Sequence, residues 1–409
     1  MTSSNRPSNI LQLYIIKLSK WLMLTMPIVF LFYQENGLGT QDLFILKAAY
    51  SLAIVILEIP SGYIGDIWGR KNSMIIGSLL GPVGFSVYCF ASGFYGFLIA
   101  ELILGIGQSF ISGSDSALLY DSLLVAKKDN QHLKTEGRMI SIGNYAEAVA
   151  APIGVALAAA SLRTPFFFQV LIAFTAVPAA FMLKEPPVKR LASRRISKNM
   201  GEIITYVLKK NKTLKWNIML STITGVATLT MTWLIQPLFV QLAIPLALYG
   251  IIIPALNLTA GTASIYAYAV EKKIGFERAI FAIVTGVSVM YLGIGLSDSM
   301  WVIIFLILFY IIRGVAAPVL KNRTNMVTPS EIRATVLSLN NLMIRLLFII
   351  FSPVIGWYSD HSCLSVAIIS SGTFILIAGI FVSLKLINHN KENCDDLCEN
   401  QTIELYSQS

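Results

Sequence analysis

Lysines, carboxylates and arginines that stand inside long apolar stretches are where this sequence can do chemistry. They are Lys17, Lys20, Lys47, Glu58, Glu101, Asp115, Glu147, Arg313 and Arg345. A charge in an apolar stretch is costly to bury in a membrane and marks an ion or ligand path by default. Glu147 falls near the middle of its stretch and is the first candidate for taking up and releasing a proton; a hydrogen bond between two helices is the plainer role. Glu101 and Asp115 are the other proton candidates. Arg313 and Arg345 keep their charge, so each needs a carboxylate, water or an anionic ligand, and Glu101 or Glu147 could neutralise one of them. Asn341 pairs with Arg345 in this reading, for ligand contact or for structure. Gln108, Asn144, Trp233, Gln236 and Asn340 could line the same space. Lys17 reads as snorkelling to a membrane edge, Lys20 as either a cavity charge or a snorkelling one, Lys47 as an interface anchor and Glu58 as mainly structural.

Membrane helices must position these groups. Of 409 residues, 55% are hydrophobic and 13% charged, with mean hydropathy +0.69; a soluble domain carries about 25% charged residues. Apolar runs of about 20 residues recur, each enough to cross a bilayer as a helix. They are continuous rather than alternating, which argues against a β-barrel. We expect an all-α membrane protein with segments at about 13–33, 43–63, 73–92, 95–118, 139–160, 165–183, 216–240, 246–269, 279–296, 300–320, 334–357 and 363–387. Twelve helices in two six-helix bundles follow: residues 1–183, then a basic linker 184–215 with an amphipathic helix, then 216–387, then a polar, disordered tail 388–409. In the linker Met200, Ile203, Ile204, Val207 and Leu208 recur at helical spacing.

The net charge of +9 is explained by topology rather than by nucleic acid. Arg70, Lys71, Lys127, Lys128, Lys134, Arg138, the linker bases, Lys272, Lys273, Arg278, Lys321, Arg323 and Arg333 all fall on one side, and the other holds Arg163. Bases accumulate on the cytoplasmic side, so both termini are expected there. The polar start and the first apolar run do not resemble a cleaved signal peptide. Cys89 and Cys363 read as apolar fillers; Cys394 and Cys398 stand in the tail without the company of a metal quartet.

One stretch is far narrower than composition. Glu58-Ile59-Pro60-Ser61-Gly62-Tyr63-Ile64-Gly65-Asp66-Ile67-Trp68-Gly69-Arg70-Lys71 carries glycines on one helical side, which would let a neighbour approach closely. Its G-x-x-x-D-x-x-G-R-K pattern resembles the loop between helices 2 and 3 of the major facilitator superfamily of transporters. The resemblance implies a gate motif of Gly62, Gly65, Asp66, Gly69, Arg70 and Lys71. It makes Asp121 the partner of Arg70, with Asp115 as fallback. Gly105 and Gly107 match the family's helix-4 motif, except that the arginine four residues before the first glycine is Glu101. Pro152 and Gly154 keep part of a helix-5 motif of drug–proton antiporters. Residues 271–278 occupy the place of the opening stretch in a second half, a weak trace of a repeat. The run 115–121 and Arg333–Ser338 resemble a subgroup of uncharacterised bacterial transporters.

The resemblance implies a monomer in a bacterial inner membrane that moves a small molecule by alternating access. Proton-coupled export of a drug-like compound or secreted metabolite, such as a siderophore, is the first expectation. Import of a small hydrophilic nutrient, including an anionic one, is the alternative. The sequence shows no P-loop, catalytic triad or metal quartet, so neither enzymatic chemistry nor a cofactor is expected.

Overall fold

The computed structural model describes residues 9–128, 131–187, 202–329 and 332–407. Twelve helical spans are long and apolar enough to cross a membrane: Ile10–Glu35, Thr40–Gly65, Arg70–Phe90, Gly93–Val125, Lys134–Ala158, Thr164–Met182, Lys212–Gln241, Leu246–Ile265, Phe276–Gly295, Val302–Val327, Thr335–His361 and Leu364–His389. We number them span 1 to span 12. No strand occurs among the described residues. Helices satisfy their own backbone in lipid, so this sequence of apolar runs has one architecture open to it. Odd-numbered spans run from the amino-terminal face to the far face, and even-numbered ones return.

Two compact units emerge from the packing. The first takes Met1–Ser193, Trp233–Leu258 and Phe348–Ser362. It holds spans 1–6 and those parts of spans 7, 8 and 11 that lie toward the far face. The second takes Arg194–Thr232, Thr259–Leu347 and Cys363–Ser409.

Several helices differ from a plain rod. Span 1 stops at Trp21 and resumes through a 3-10 turn at Met26–Ile28. Pro27 weakens a continuous helix here, because it has no amide to donate and its ring crowds the Met23 carbonyl; neighbours hold the break open. The Leu24 amide donates to Gln169 Oε1 at 2.7 Å. The Phe30 amide donates to Gln236 Oε1 at 2.9 Å, and Gln236 Nε2 donates to the Met26 carbonyl at 2.7 Å. Backbone groups freed in an apolar interior need such partners. Gly154 of span 5 lies against the Leu24 carbonyl, where any side chain would collide. Span 4 is two helices, Gly93–Ile111 and Ser114–Val125, turned at Gly113 with φ +78°; only glycine adopts that angle freely.

One expectation is corrected. The tail is not disordered: the last helix runs Leu364–Ser407 without interruption. In the linker, residues 202–205 are α-helical and Tyr206–Lys210 form a wider π-turn. Ile203, Ile204, Tyr206 and Val207 pack against Leu214, Ile218, Val336 and Leu339, so its apolar side is covered by spans 7 and 11 within the second unit. Met200 lies outside the described residues.

Candidate functional site

Span 4 places Glu101 eight residues into the membrane from Gly93, about 12 Å along the helix. Span 2 places Lys47 seven residues in from Thr40, about 10 Å deep. The two spans run in the same direction and touch at Gly105, where a side chain would meet the Tyr50 carbonyl at 2.7 Å and the Ala53 Cβ at 2.8 Å. One turn nearer the far face, Lys47 Nζ pairs with Glu101 Oε1. The Lys47 and Glu101 side chains are 10% and 4% exposed, so water does not take over either charge.

The same oxygen collects two more donors. The Tyr88 hydroxyl donates to Glu101 Oε1 at 2.6 Å, and the Tyr33 hydroxyl stands 3.1 Å from it. The two hydroxyls are 2.5 Å apart. Each phenol owns one proton, so with Tyr88 donating to the carboxylate, Tyr33 divides between Glu101 and the Tyr88 oxygen. Phe32, Phe97 and Phe166 wall the phenols, with Phe32 and Phe166 centroids 4.3 Å apart. Lys47 Nζ also lies 4.6 Å over the Trp233 ring and 5.7 Å over the Tyr33 ring. Trp233 comes from span 7, in the part that belongs to the first unit.

Lys47 is thus corrected from interface anchor to buried partner of a carboxylate. Glu101 is neutralised by Lys47 rather than by Arg313 or Arg345. Lys47 thus has two holds, the Glu101 carboxylate and the Trp233 face.

At the amino-terminal face, Gly69 turns the chain with φ +102° between spans 2 and 3. Arg70 Nη1 meets Asp121 Oδ2 at 2.5 Å. Asp121 is buried beside Ser122 and Leu123. Glu185, beyond span 6, accepts from the Arg70 and Lys71 amides at 3.1 and 2.7 Å. These amides open a helix and lack intrahelical partners, and an anion there also meets the positive end of the helix dipole. Sequence reading missed Glu185 because it sits at the edge of a basic linker. The glycine side of the motif is not tightly packed: nothing lies within 4 Å of a side chain built at Gly62, and Gly65 has ordinary contacts with Ser73 and Ser114. The Asp66 side chain lies outside the described ones.

The other candidates scatter. Asp115 meets Lys17 at 3.9 Å, not Arg70. Lys17 also lies 5.7 Å over Trp21. Glu147 accepts from Asn257 at 3.5 Å, joining spans 5 and 8 within the first unit. Gln236 is buried, with its amide occupied by the backbone of span 1. Lys20 and Gln108 are half-buried, and Asn144 and Asn341 are exposed. Arg313 stacks 5.0 Å over Tyr310 and reaches Thr232 Oγ1 at 3.4 Å. Arg345 is half-buried. No ion pair to Arg313 or Arg345 occurs among the described residues. Those residues also hold no group of three or more potential metal ligands.

Comparison with known proteins bears on this arrangement. The family model of the Major Facilitator Superfamily matches residues 16–353. The chain is 23% identical to the MFS-type transporter MJ1560 of Methanocaldococcus jannaschii over 192 residues, 46% of this chain and 48% of that protein. It is 25% identical to the quinolone resistance protein NorA of Staphylococcus aureus over 170 residues, 42% of this chain and 43% of NorA. The chain therefore spans less than half the length of these relatives. The fold matches a bacterial homologue of the human lysosomal transporter Spinster with TM-score 0.76 and 12% identity, covering 96% of this chain and 99% of that one. Twelve membrane spans and a family match over most of their length lead to one conclusion: this chain belongs to the major facilitator superfamily, as a multi-pass membrane transporter.

Proposed function

We propose that the protein is a secondary active transporter that exports a small organic molecule in exchange for protons, with Glu101 and Lys47 as the coupling pair. The buried pair carries this reading. A carboxylate held by one lysine and two phenols can trade the lysine for a proton, and the freed ammonium stays over Trp233, 4.6 Å away. Trp233 comes from the second half of the sequence, so the charge state at Glu101 is felt by span 7, as alternating access requires. Similarity to NorA, whose name records quinolone resistance, supports export of a drug-like compound or a secreted metabolite over uptake. Glu147, which accepts from Asn257 at 3.5 Å, is the second coupling candidate. Both termini face the cytoplasm in this reading, which puts Arg70 and Asp121 at the inner gate. The test is substrate flux in proteoliposomes driven by an imposed pH gradient. Glu101→Gln is expected to abolish pH-driven flux while leaving substrate exchange, and wild-type pH-driven flux in that variant would end the assignment.

A second reading rests on a separate observation. Arg313 and Arg345 are half-buried in the second unit, and Arg313 rests on the neutral groups of Tyr310 and Thr232. Two such guanidinium groups suit an anionic cargo, and import of an anionic nutrient then becomes the alternative. Arg345→Ala should stop an anion importer outright, whereas an exporter of neutral or cationic compounds should keep at least a third of its flux.

A further inference from the structure

Spans 2 and 11 cross tightly near the far face, within the first unit. A side chain at Gly356 would meet the Gln41 Cα at 2.7 Å. The Ser352 hydroxyl donates to the Phe44 carbonyl at 3.5 Å, and the Phe44 and Phe348 rings lie 6.5 Å apart. Asp360 closes the end of this crossing. Its carboxylate accepts from the Thr40 amide at 3.1 Å and the Gln41 amide at 2.8 Å. These are the first amides of span 2, which no turn of their own helix can satisfy. The residue before them is Gly39, which has no side chain to cap the helix, and any side chain there would run into the Asp360 carboxylate. Asp42 of span 2 itself accepts from the Gly39 amide at 3.0 Å, so the start of span 2 shares its capping with span 11, which serves the Thr40 and Gln41 amides.

A second, independent feature lies in the sequence. Span 2 ends in Gly62-Tyr63-Ile64-Gly65-Asp66, and span 11 ends in Gly356-Trp357-Tyr358-Ser359-Asp360. The same G-x-x-x-D spacing closes two spans that finish on opposite faces. At span 11 the glycine makes the close crossing and the acid, one turn on, reaches the neighbouring helix end.

We infer that Asp360 is a latch that holds the far face shut, and that its release from the start of span 2 is a step of the transport cycle. The inference rests on the alternating-access reading and assigns it a residue. Glu185 caps span 3 by the same physics, but it joins only the first six spans. Asp360 joins the two halves of the sequence, so it is the one that opening must break.

The test reads the open population directly. Ser352 is fully buried at the crossing, so Ser352→Cys, in the full-length protein with Cys89, Cys363, Cys394 and Cys398 replaced by Ser, reacts with a membrane-impermeant maleimide only when spans 2 and 11 part. The labelling rate scales with the open fraction even when that fraction is small. Asp360→Asn, close to isosteric, is expected to raise the rate about fivefold, the scale of a charged cap at an exposed helix start. Asp360→Glu is expected to return it most of the way. Gly356→Trp wedges the crossing apart at Thr40 and Gln41 while leaving Asp360 itself in the sequence. A raised rate in Gly356→Trp with a wild-type rate in both Asp360→Asn and Asp360→Ala overturns the latch and leaves alternating access standing. A wild-type rate in all of these variants overturns both.

Discussion

Glu101→Gln isolates one charge in a site where the shape barely changes. The amide keeps an oxygen for the Tyr88 and Tyr33 hydroxyls, now 2.6 and 3.1 Å from Glu101 Oε1. What it removes is the negative charge facing Lys47. The lysine side chain is 10% exposed, so bulk water does not replace the lost partner. Deleting one member of a buried ion pair costs about 3–5 kcal/mol. The Trp233 face is already in use in the native protein and offsets the loss only if Lys47 moves closer, by less than about 1 kcal/mol. We therefore expect Glu101→Gln to lower unfolding free energy in mixed micelles by about 3 kcal/mol. Lys47→Met should cost a similar amount by stranding the carboxylate. The double variant removes both charges and should fall within about 1 kcal/mol of the native protein. The cycle then gives a coupling of several kcal/mol between two residues in contact. Single losses below about 1 kcal/mol that simply add would refute a coupled buried pair. The double variant also carries the functional arm: it should fold and insert, yet show no pH-driven flux. Retained pH-driven flux would move proton coupling away from this cluster.

Three further outcomes are expected. Arg70→Ala and Asp121→Asn should each cut flux at least fivefold with unchanged membrane insertion, and the exchanged pair Arg70→Asp with Asp121→Arg should recover part of it. Undiminished flux in both single variants would remove the 2.5 Å pair from the gate. Glu185→Gln should weaken the start of span 3 by about 0.5–1 kcal/mol, read as faster hydrogen exchange at the Arg70 and Lys71 amides and nowhere in span 4. Cys363 is exposed at the start of span 12. It should react with an impermeant maleimide added outside intact cells, and reaction only after permeabilisation would invert the topology.

Span positions were legible because insertion depends on length and apolarity, which are local properties of the chain. The break in span 1 was half legible: Pro27 cannot bond back to Met23, but Gln169, Gln236 and Gly154, which hold the break open, come from distant spans. Gln236 looked like a cavity residue for the same reason: an apolar helix with one amide does not say which backbone the amide will serve. Lys47 and Glu101 came within reach of sequence reasoning. The small residues Gly105 and Gly107 announced close neighbours, but not that Gly105 faces span 2 while Gly107 faces span 3 at Leu80 and Gly77. With that fact, counting one turn back from Gly105 and from Tyr50 brings Glu101 and Lys47 to the same level. Arg70 and Asp121 were paired by the resemblance of a loop, not by any pattern in the residues between them. The helical tail beyond Asn388 ran against composition, because Asp395, Asp396 and Glu399 are compatible with a helix that has no apolar face to bury.

The far-face contacts also have to obey an energetic limit. A transporter must leave each state within one turnover, so the contacts that define the closed face can favour it by only a few kcal/mol in total. The first unit shows how that total stays small. Gln236 bonds backbone groups of span 1 that water could serve when the helices part, so their net worth is about 1 kcal/mol each. Asp360 is exposed, and its contact with the helix start is worth about 1 kcal/mol. The Trp233 face adds about 0.5–2 kcal/mol on Lys47. None of these contacts joins two buried opposite charges. The buried ion pair Lys47 with Glu101, near the far face, lies between spans 2 and 4, both among the first six. It can stay intact while the other contacts break. Under the proton-coupled export proposed above, a proton at Glu101 need not supply the whole cost of opening; it has only to change how firmly Lys47 holds Trp233, and through that ring the far end of span 7.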